Sequence, residues 1–125
     1  MDQKRTWIYC RVAHSGPDNV DILAGQRLRL EAYAKEHNLE IVGSSSDIGS
    51  GLTLDRPGLQ KFMDAVEDEA VDVLLLPNLA RLGRDMKKVV LYWHLLRGRG
   101  VHVFTIIDGE IDLSIHTMLQ EIVRK

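Results

Sequence analysis

Four apolar runs of strand length, separated by stretches of helical periodicity, constrain this chain more than any other feature. TWIYCRV (6–12), LEIVGS (39–44), VDVLLLP (71–77) and VHVFTII (101–107) are too short for buried helices and rich in β-branched or aromatic residues. Between the first two, DILAGQRLRLEAYAKEH spaces Leu23, Gln26, Leu30 and Tyr33 three and four residues apart, so one helical face carries all of them. Gln26 is therefore a polar group on a packing face. PGLQKFMDAVEDEA sets Leu59, Phe62, Met63 and Val66 on one stripe. DMKKVVLYWHLLRGRG does the same with Met86, Val89, Trp93 and Leu96 before Gly98 and Gly100 end it. The closing IDLSIHTMLQEIVRK reads as one more helix, whose stripe of Leu113, Met118, Leu119 and Ile122 needs cover from the sheet or from a second subunit. The order βαβαβαβα, with near-continuous apolar strands, predicts an α/β fold: a three-layer sandwich around a mostly parallel sheet of four to five strands.

Size and charge narrow the function classes. With 125 residues and 45 % hydrophobic content, the chain is expected to be one domain over 1–125. No apolar run approaches the ~20 residues that cross a bilayer, and MDQKRTWIYC lacks the features of a secretory signal, so a cytoplasmic location and no membrane partner are expected. The single cysteine, Cys10, lies within a strand-like run and reads as a buried reduced thiol. The histidines show no metal-ligand spacing, and neither a metal nor a cofactor is expected. A net charge of −2 gives no global positive field, so any nucleic-acid contact must be local or supplied by another module.

In folds of this class ligands bind beyond the carboxyl ends of the strands. The first strand ends at Arg11; the second leads into SSDIGSGLTLDR with Asp47 and Arg56; the third leads into NLARLGRD with Arg81 and Arg84. Three loops thus deliver four arginines to one edge. Each alone could be a solvated or paired surface residue, with Asp47, Asp55 and Asp85 as candidate partners. Together they are harder to dismiss, because guanidinium groups repel one another unless an anion lies between them. A phosphate suits them, since its oxygens accept paired N–H donors in the planar fork of arginine. No G-x-x-x-x-G-K-[ST] loop or G-x-G-x-x-G turn is present, and the first strand does not end in magnesium-binding carboxylates.

The pieces YCRV at 9–12, Gln26 followed by LRLEAYAKEHNLEIV, DIGSG followed by DRPGL at 47–59, and LARLGRD at 79–85 resemble, in this order, the catalytic domain of the serine recombinases, the resolvase and invertase family. The resemblance covers nearly the whole chain. It implies a resolvase-like sandwich that cuts and rejoins DNA by transesterification through a 5′-phosphoseryl intermediate. It further implies a homodimer that becomes a tetramer in the active complex, and a DNA-binding module elsewhere in the full-length protein. Carried over, Arg11, Arg56, Arg81 and Arg84 become the phosphate clamps. Tyr9, Gln26, Asp47 and Asp85 support them, and Lys87 and Lys88 become DNA contacts.

Two departures accompany the matches. The residue after R-V, usually the nucleophilic serine of the family, is Ala13, followed by His14 and Ser15. Two extended residues displace a side chain by ~6.6 Å, so Ser15 can be the nucleophile only if the loop folds back, which Gly16 and Pro17 permit. Ala80 also replaces an acidic residue found in many relatives. The second departure is length: the chain stops at Lys125, inside the long helix that the family carries after the fourth strand, as a truncated domain would. Two alternatives stand beside an active recombinase domain. One is a degenerate relative that binds DNA or a partner, favoured by Ala13; the other is a flavodoxin-like small-ligand domain, supported by fold analogy alone.

Overall fold

The computed structural model describes residues 3–114. Its elements are β1 (Lys4–Val12), α1 (Pro17–Glu36), β2 (Leu39–Ile48), α2 (Pro57–Glu67), β3 (Val73–Leu76), a 3₁₀ turn (Leu79–Arg81), α3 (Met86–Gly98), β4 (His102–Thr105) and β5 (Gly109–Glu110). The strands form one sheet in the order β2-β1-β3-β4-β5, parallel except for the antiparallel β4–β5 pair. The expected three-layer α/β architecture is therefore present, with β5 as its short fifth strand.

Side-chain alternation sorts the core. Ile8, Cys10 and Leu75 point to one face, where α1 covers them with Leu30 and Ala34. Tyr9, Leu74, Leu76 and Val103 point to the other face, under Leu59, Phe62 and Val66 of α2 and Val89, Trp93 and Leu96 of α3. β1 and β3 are thus buried on two sides, as their unbroken apolar runs require.

The second strand runs to Ile48, four residues past the apolar stretch seen in the sequence. Its polar end, Ser44–Ile48, stays in the sheet because β1 pairs with it as far as Val12. Between Thr6 and Trp7 the register shifts, leaving Val42 as the extra residue of a β-bulge. A Cβ on Gly43 would lie 2.3 Å from the Trp7 ring, so the bulge admits only glycine beside that indole. The shift aligns Tyr9 with Ser45 and Arg11 with Asp47. A one-residue slip would turn Asp47 to the opposite face.

Two expected details are corrected. Met86 is 51 % exposed, not on the buried stripe, because the first turn of α3 begins beyond the strand ends beside the β2–α2 loop, where no sheet lies beneath it. Residues 111–114 are not helical: Ile111 donates its N–H to Val103 O and accepts from Trp93 Nε1, which commits its backbone to the sheet edge. The rest of the expected final helix, with Met118, Leu119 and Ile122, lies outside the described residues. Among the described residues no helix is long and apolar enough to cross a membrane.

Cys10 is buried and unpaired, and burial pushes its thiol up to about 11. The folded state therefore favours the neutral thiol: its contribution is full below the unfolded value near 9 and is lost as pH rises through about 11. Relative to Cys10→Ala, the wild-type chain should lose about 2 kcal/mol of stability across that window, measured as a difference in urea midpoints.

Candidate anion-binding site

The strand order reverses between β1 and β3, and the crevice outside their carboxyl ends is where α/β folds place ligands. Arg11 closes β1 there. Its backbone is clamped by Gln26 of α1, which accepts from Arg11 N and donates to Arg11 O, both at 3.2 Å. This is why a glutamine occupies a packing face, where it is 1 % exposed. The Arg11 guanidinium then donates to three backbone carbonyls: Gly49 at 2.7 Å, Ala80 at 2.9 Å and Arg81 at 3.1 Å.

Arg56 stands at the N-cap of α2, where a cation opposes the helix dipole. Asp47 offsets that conflict: its carboxylate accepts from Gly58 N at 2.7 Å and Leu59 N at 3.2 Å, and from the Tyr9 hydroxyl at 2.6 Å. Arg56 in turn donates to Tyr9 Oη at 2.8 Å, to Thr53 O at 2.9 Å and to the carbonyls of Arg81 and Leu82. Burial raises the Tyr9 phenol well above its ordinary range, and its bond to Asp47 adds to the rise while Arg56 opposes it. Tyr9 thus stays a proton donor to Asp47 and an acceptor for Arg56.

Arg81 spends one N–H on Arg11 O at 3.1 Å and is half-buried. Arg84 is exposed; its backbone N–H binds Gly51 O at 2.7 Å, and its side chain makes no hydrogen bond among the described residues. Gly51 is where these groups come closest: a Cβ there would lie 2.5 Å from Arg84 Cγ and 3.0 Å from Arg11 Nη2. Burial lowers the Arg11 guanidinium below its ordinary value, and the charges of Arg56, Arg81 and Arg84 lower it further. No ion pair among the described residues joins any of the four to a carboxylate.

The structure therefore brings together Arg11, Arg56, Arg81, Arg84, Tyr9, Gln26 and Asp47, and divides them by accessibility. Arg11 and Arg56, 4 % and 6 % exposed, have their N–H groups largely engaged by protein, whereas Arg81 and Arg84 keep donors free for a ligand. Asp85 stands elsewhere: it caps α3 through the N–H groups of Lys87 and Lys88. Lys88 reaches across to Leu52 O at 2.8 Å, at the rim of the arginine loops. Lys87 borders an apolar patch with Met86, Val90 and Leu91. Asp47, Asp55 and Asp85, the candidate carboxylate partners, form no ion pair with an arginine among the described residues. Ser15 is exposed in the turn between β1 and α1, and its hydroxyl has no hydrogen bond among the described residues. That turn is held by Asn19, which donates to His14 O.

Sequence reasoning missed the acceptors of the arginines, because carbonyls of Gly49, Thr53, Ala80, Arg81 and Leu82 carry no residue-type signal. It also passed over Tyr92, whose buried hydroxyl lacks a partner among the described residues. Burial raises that phenol, and Arg56 is the one charge acting against the rise. No cluster of histidine, cysteine and carboxylate side chains suited to a metal occurs among the described residues.

The family description "Resolvase, N terminal domain" matches residues 6–124. The chain belongs to the resolvase family. Solved structures agree. The C-terminal catalytic domain of ISC1926 TnpA, an IS607-like serine recombinase, is 29 % identical, with a TM-score of 0.75 over 96 % of this chain and 79 % of that one. The N-terminal catalytic domain of TP901-1 integrase is 26 % identical, with a TM-score of 0.76 over 97 % of each chain. A resolvase-family site-specific recombinase from Streptococcus pneumoniae, 23 % identical, shares the fold with a TM-score of 0.76 over 98 % of this chain and 89 % of that one. This resolvase-family domain is thus of the serine recombinase catalytic type.

Asp47 is the residue on which this resolvase-family site most depends. Asp47→Ala leaves the Tyr9 hydroxyl and two helix N–H groups without their acceptor, and is expected to cost about 3 kcal/mol in urea unfolding. Gly51→Ala should leave the circular dichroism spectrum intact while displacing Arg84, and so weaken binding of a phosphodiester oligonucleotide by about tenfold in fluorescence anisotropy.

Proposed function

We propose that this domain is a DNA phosphodiester transferase, a serine recombinase domain whose arginine cluster grips the scissile phosphate. The observation that carries this is the convergence of four guanidinium groups on the β1/β3 crevice with no carboxylate paired to any of them among the described residues. Arg81 and Arg84 take the nonbridging oxygens. Arg11 and Arg56, held from behind by carbonyls, add their field without moving. As negative charge grows on the transferring group, each well-placed donor contributes about 3 kcal/mol of transition-state stabilisation.

Ser15 supplies the nucleophile. Its Oγ forms the bond to phosphorus as the bond from phosphorus to the 3′-oxygen breaks, and the serine proton ends on that oxygen. The products are a 5′-phosphoseryl ester and a free 3′-hydroxyl. The ester keeps the energy of the broken phosphodiester, so the reverse attack by a 3′-hydroxyl rejoins a strand without an external energy source. Attack needs the reacting atoms within ~3–3.5 Å, so the turn at Gly16 and Pro17 folds toward the arginines when DNA binds. A DNA-binding module and assembly into dimers and tetramers complete this function in a full-length protein.

A second function is favoured by one observation. Ala13, directly after the last residue of β1, is exposed and has no hydroxyl. On that basis the domain holds DNA or a partner without cutting.

The test is a suicide DNA substrate offered to the chain fused to a heterologous DNA-binding module, with mass spectrometry of protein attached to DNA. The transferase yields an adduct on Ser15 that Ser15→Ala abolishes, Cys10→Ala retains and Arg84→Ala slows by about 10²–10³. No wild-type adduct, with one gained in Ala13→Ser, favours the binding function. DNA retention unchanged in Arg81→Ala and Arg84→Ala defeats both.

A further inference from the structure

On the α1 face, the register sets Ser44 beside Ile8 and Ser46 beside Cys10. A helix lying over two strands ordinarily meets aliphatic side chains at such positions. Here the edge strand offers small hydroxyl residues, and α1 lays Leu23 and Ala24 over them, so the packing does not close. An open cavity of about 400 Å³ remains between α1, β2 and the start of α2, within the roughly 300–1,000 Å³ typical of small-molecule sites.

Its lining is chemically divided. Leu23 and Ala24 of α1 make an apolar wall above the buried Ile8 and Cys10, while Arg27 from α1 and Lys61 from α2 bring cations from the two sides of the edge strand. Lys61 has no ion pair among the described residues. Arg27 has an exposed contact of 3.8 Å with Glu31, too weak to hold it. Arg27 is also the foremost charge acting on the Cys10 thiol, consistent with its place beside that wall. Ser45 also lines the cavity, but its hydroxyl is engaged by Trp7 and Gly58. The hydroxyls of Ser44 and Ser46 make no hydrogen bond among the described residues.

We propose that this cavity is a binding site for an amphipathic organic anion, with its flat apolar body against Leu23 and Ala24 and its carboxylate or phosphate between Arg27 and Lys61. Ser44 and Ser46 add donors to the head group. A nucleic-acid backbone does not suit the site, because its phosphates bring no apolar body to cover the apolar wall. None of the four clustered arginines lines the cavity, yet its walls adjoin that site in sequence through Cys10, Arg27 and Ser46, the neighbours of Arg11, Gln26 and Asp47.

The experiment uses the intact chain and four probes: naphthyl phosphate, naphthoate, uncharged naphthylmethanol and inorganic phosphate. Binding is followed by titration calorimetry and by the rate of Cys10 alkylation. Both naphthyl anions should bind and slow alkylation, the tighter one identifying the head group, while naphthylmethanol and inorganic phosphate bind at least about tenfold more weakly. Arg27→Ala with Lys61→Ala should weaken the anions about tenfold, and Ser44→Val with Ser46→Val should do the same without lowering the melting temperature. Arg84→Ala should leave the protection of Cys10 by both anions unchanged. The proposal falls if neither naphthyl anion binds at millimolar concentration, if inorganic phosphate protects Cys10 equally well, or if Arg84→Ala weakens binding and the cavity variants do not.

Discussion

Two cations buried without counter-charges are the constraint around which this domain is arranged. Removing a guanidinium from water is costly, and the usual remedy, a carboxylate partner, would cancel the positive field. Here backbone carbonyls do the solvating. Arg11 is met by carbonyls from the β2–α2 and β3–α3 loops, and Arg56 by carbonyls from both loops together with Tyr9. The benefit is mutual, since these carbonyls lie outside the α-helices and strands and would otherwise need water or another donor. The loops keep their form because the arginines knit them, and the arginines stay charged because the loops supply dipoles in place of formal negative charge.

The sheet makes that exchange geometrically possible. The bulge at Val42 sets the face on which Asp47 emerges, and Asp47 then connects β2, the start of α2 and the Tyr9 hydroxyl. Gln26 performs the corresponding task on the other side, fixing α1 to the end of β1 through the Arg11 backbone. Both are polar residues in a nearly dry interior with their hydrogen bonds satisfied, the condition under which buried polar groups specify one structure. The same bulge register carries Ser44 and Ser46 to the α1 face, so the cavity there and the arginine site share a structural origin.

Much of this was legible from residue order. The apolar runs locate the strands, the three-and-four spacing locates the helices, and the rule about strand ends groups Arg11, Arg56, Arg81 and Arg84 from sequence alone. Gln26 announced itself as a polar residue on an apolar stripe. What stayed hidden depends on backbone. The extension of β2 through serines and Asp47 follows from pairing with β1, which overrides weak strand propensity. The carbonyl partners of the arginines have no letter in the sequence. Met86 has the spacing of a core residue, but its depth is set by where the sheet ends. Of the carboxylates expected as arginine partners, Asp47 and Asp85 are occupied with helix N–H groups or tyrosine, a preference that spacing alone does not reveal.

The bond from the Arg84 amide to the Gly51 carbonyl joins two loops that begin on different strands. With Lys88 reaching Leu52 nearby and Arg56 donating to the carbonyls of Arg81 and Leu82, the β2–α2 and β3–α3 segments are stitched at several points. A load applied to one is therefore shared by the other. Whatever tugs on the Arg84 guanidinium from solvent is transmitted to the glycine-rich stretch before Arg56, making the rim a single mechanical lever and not a pair of independent flaps.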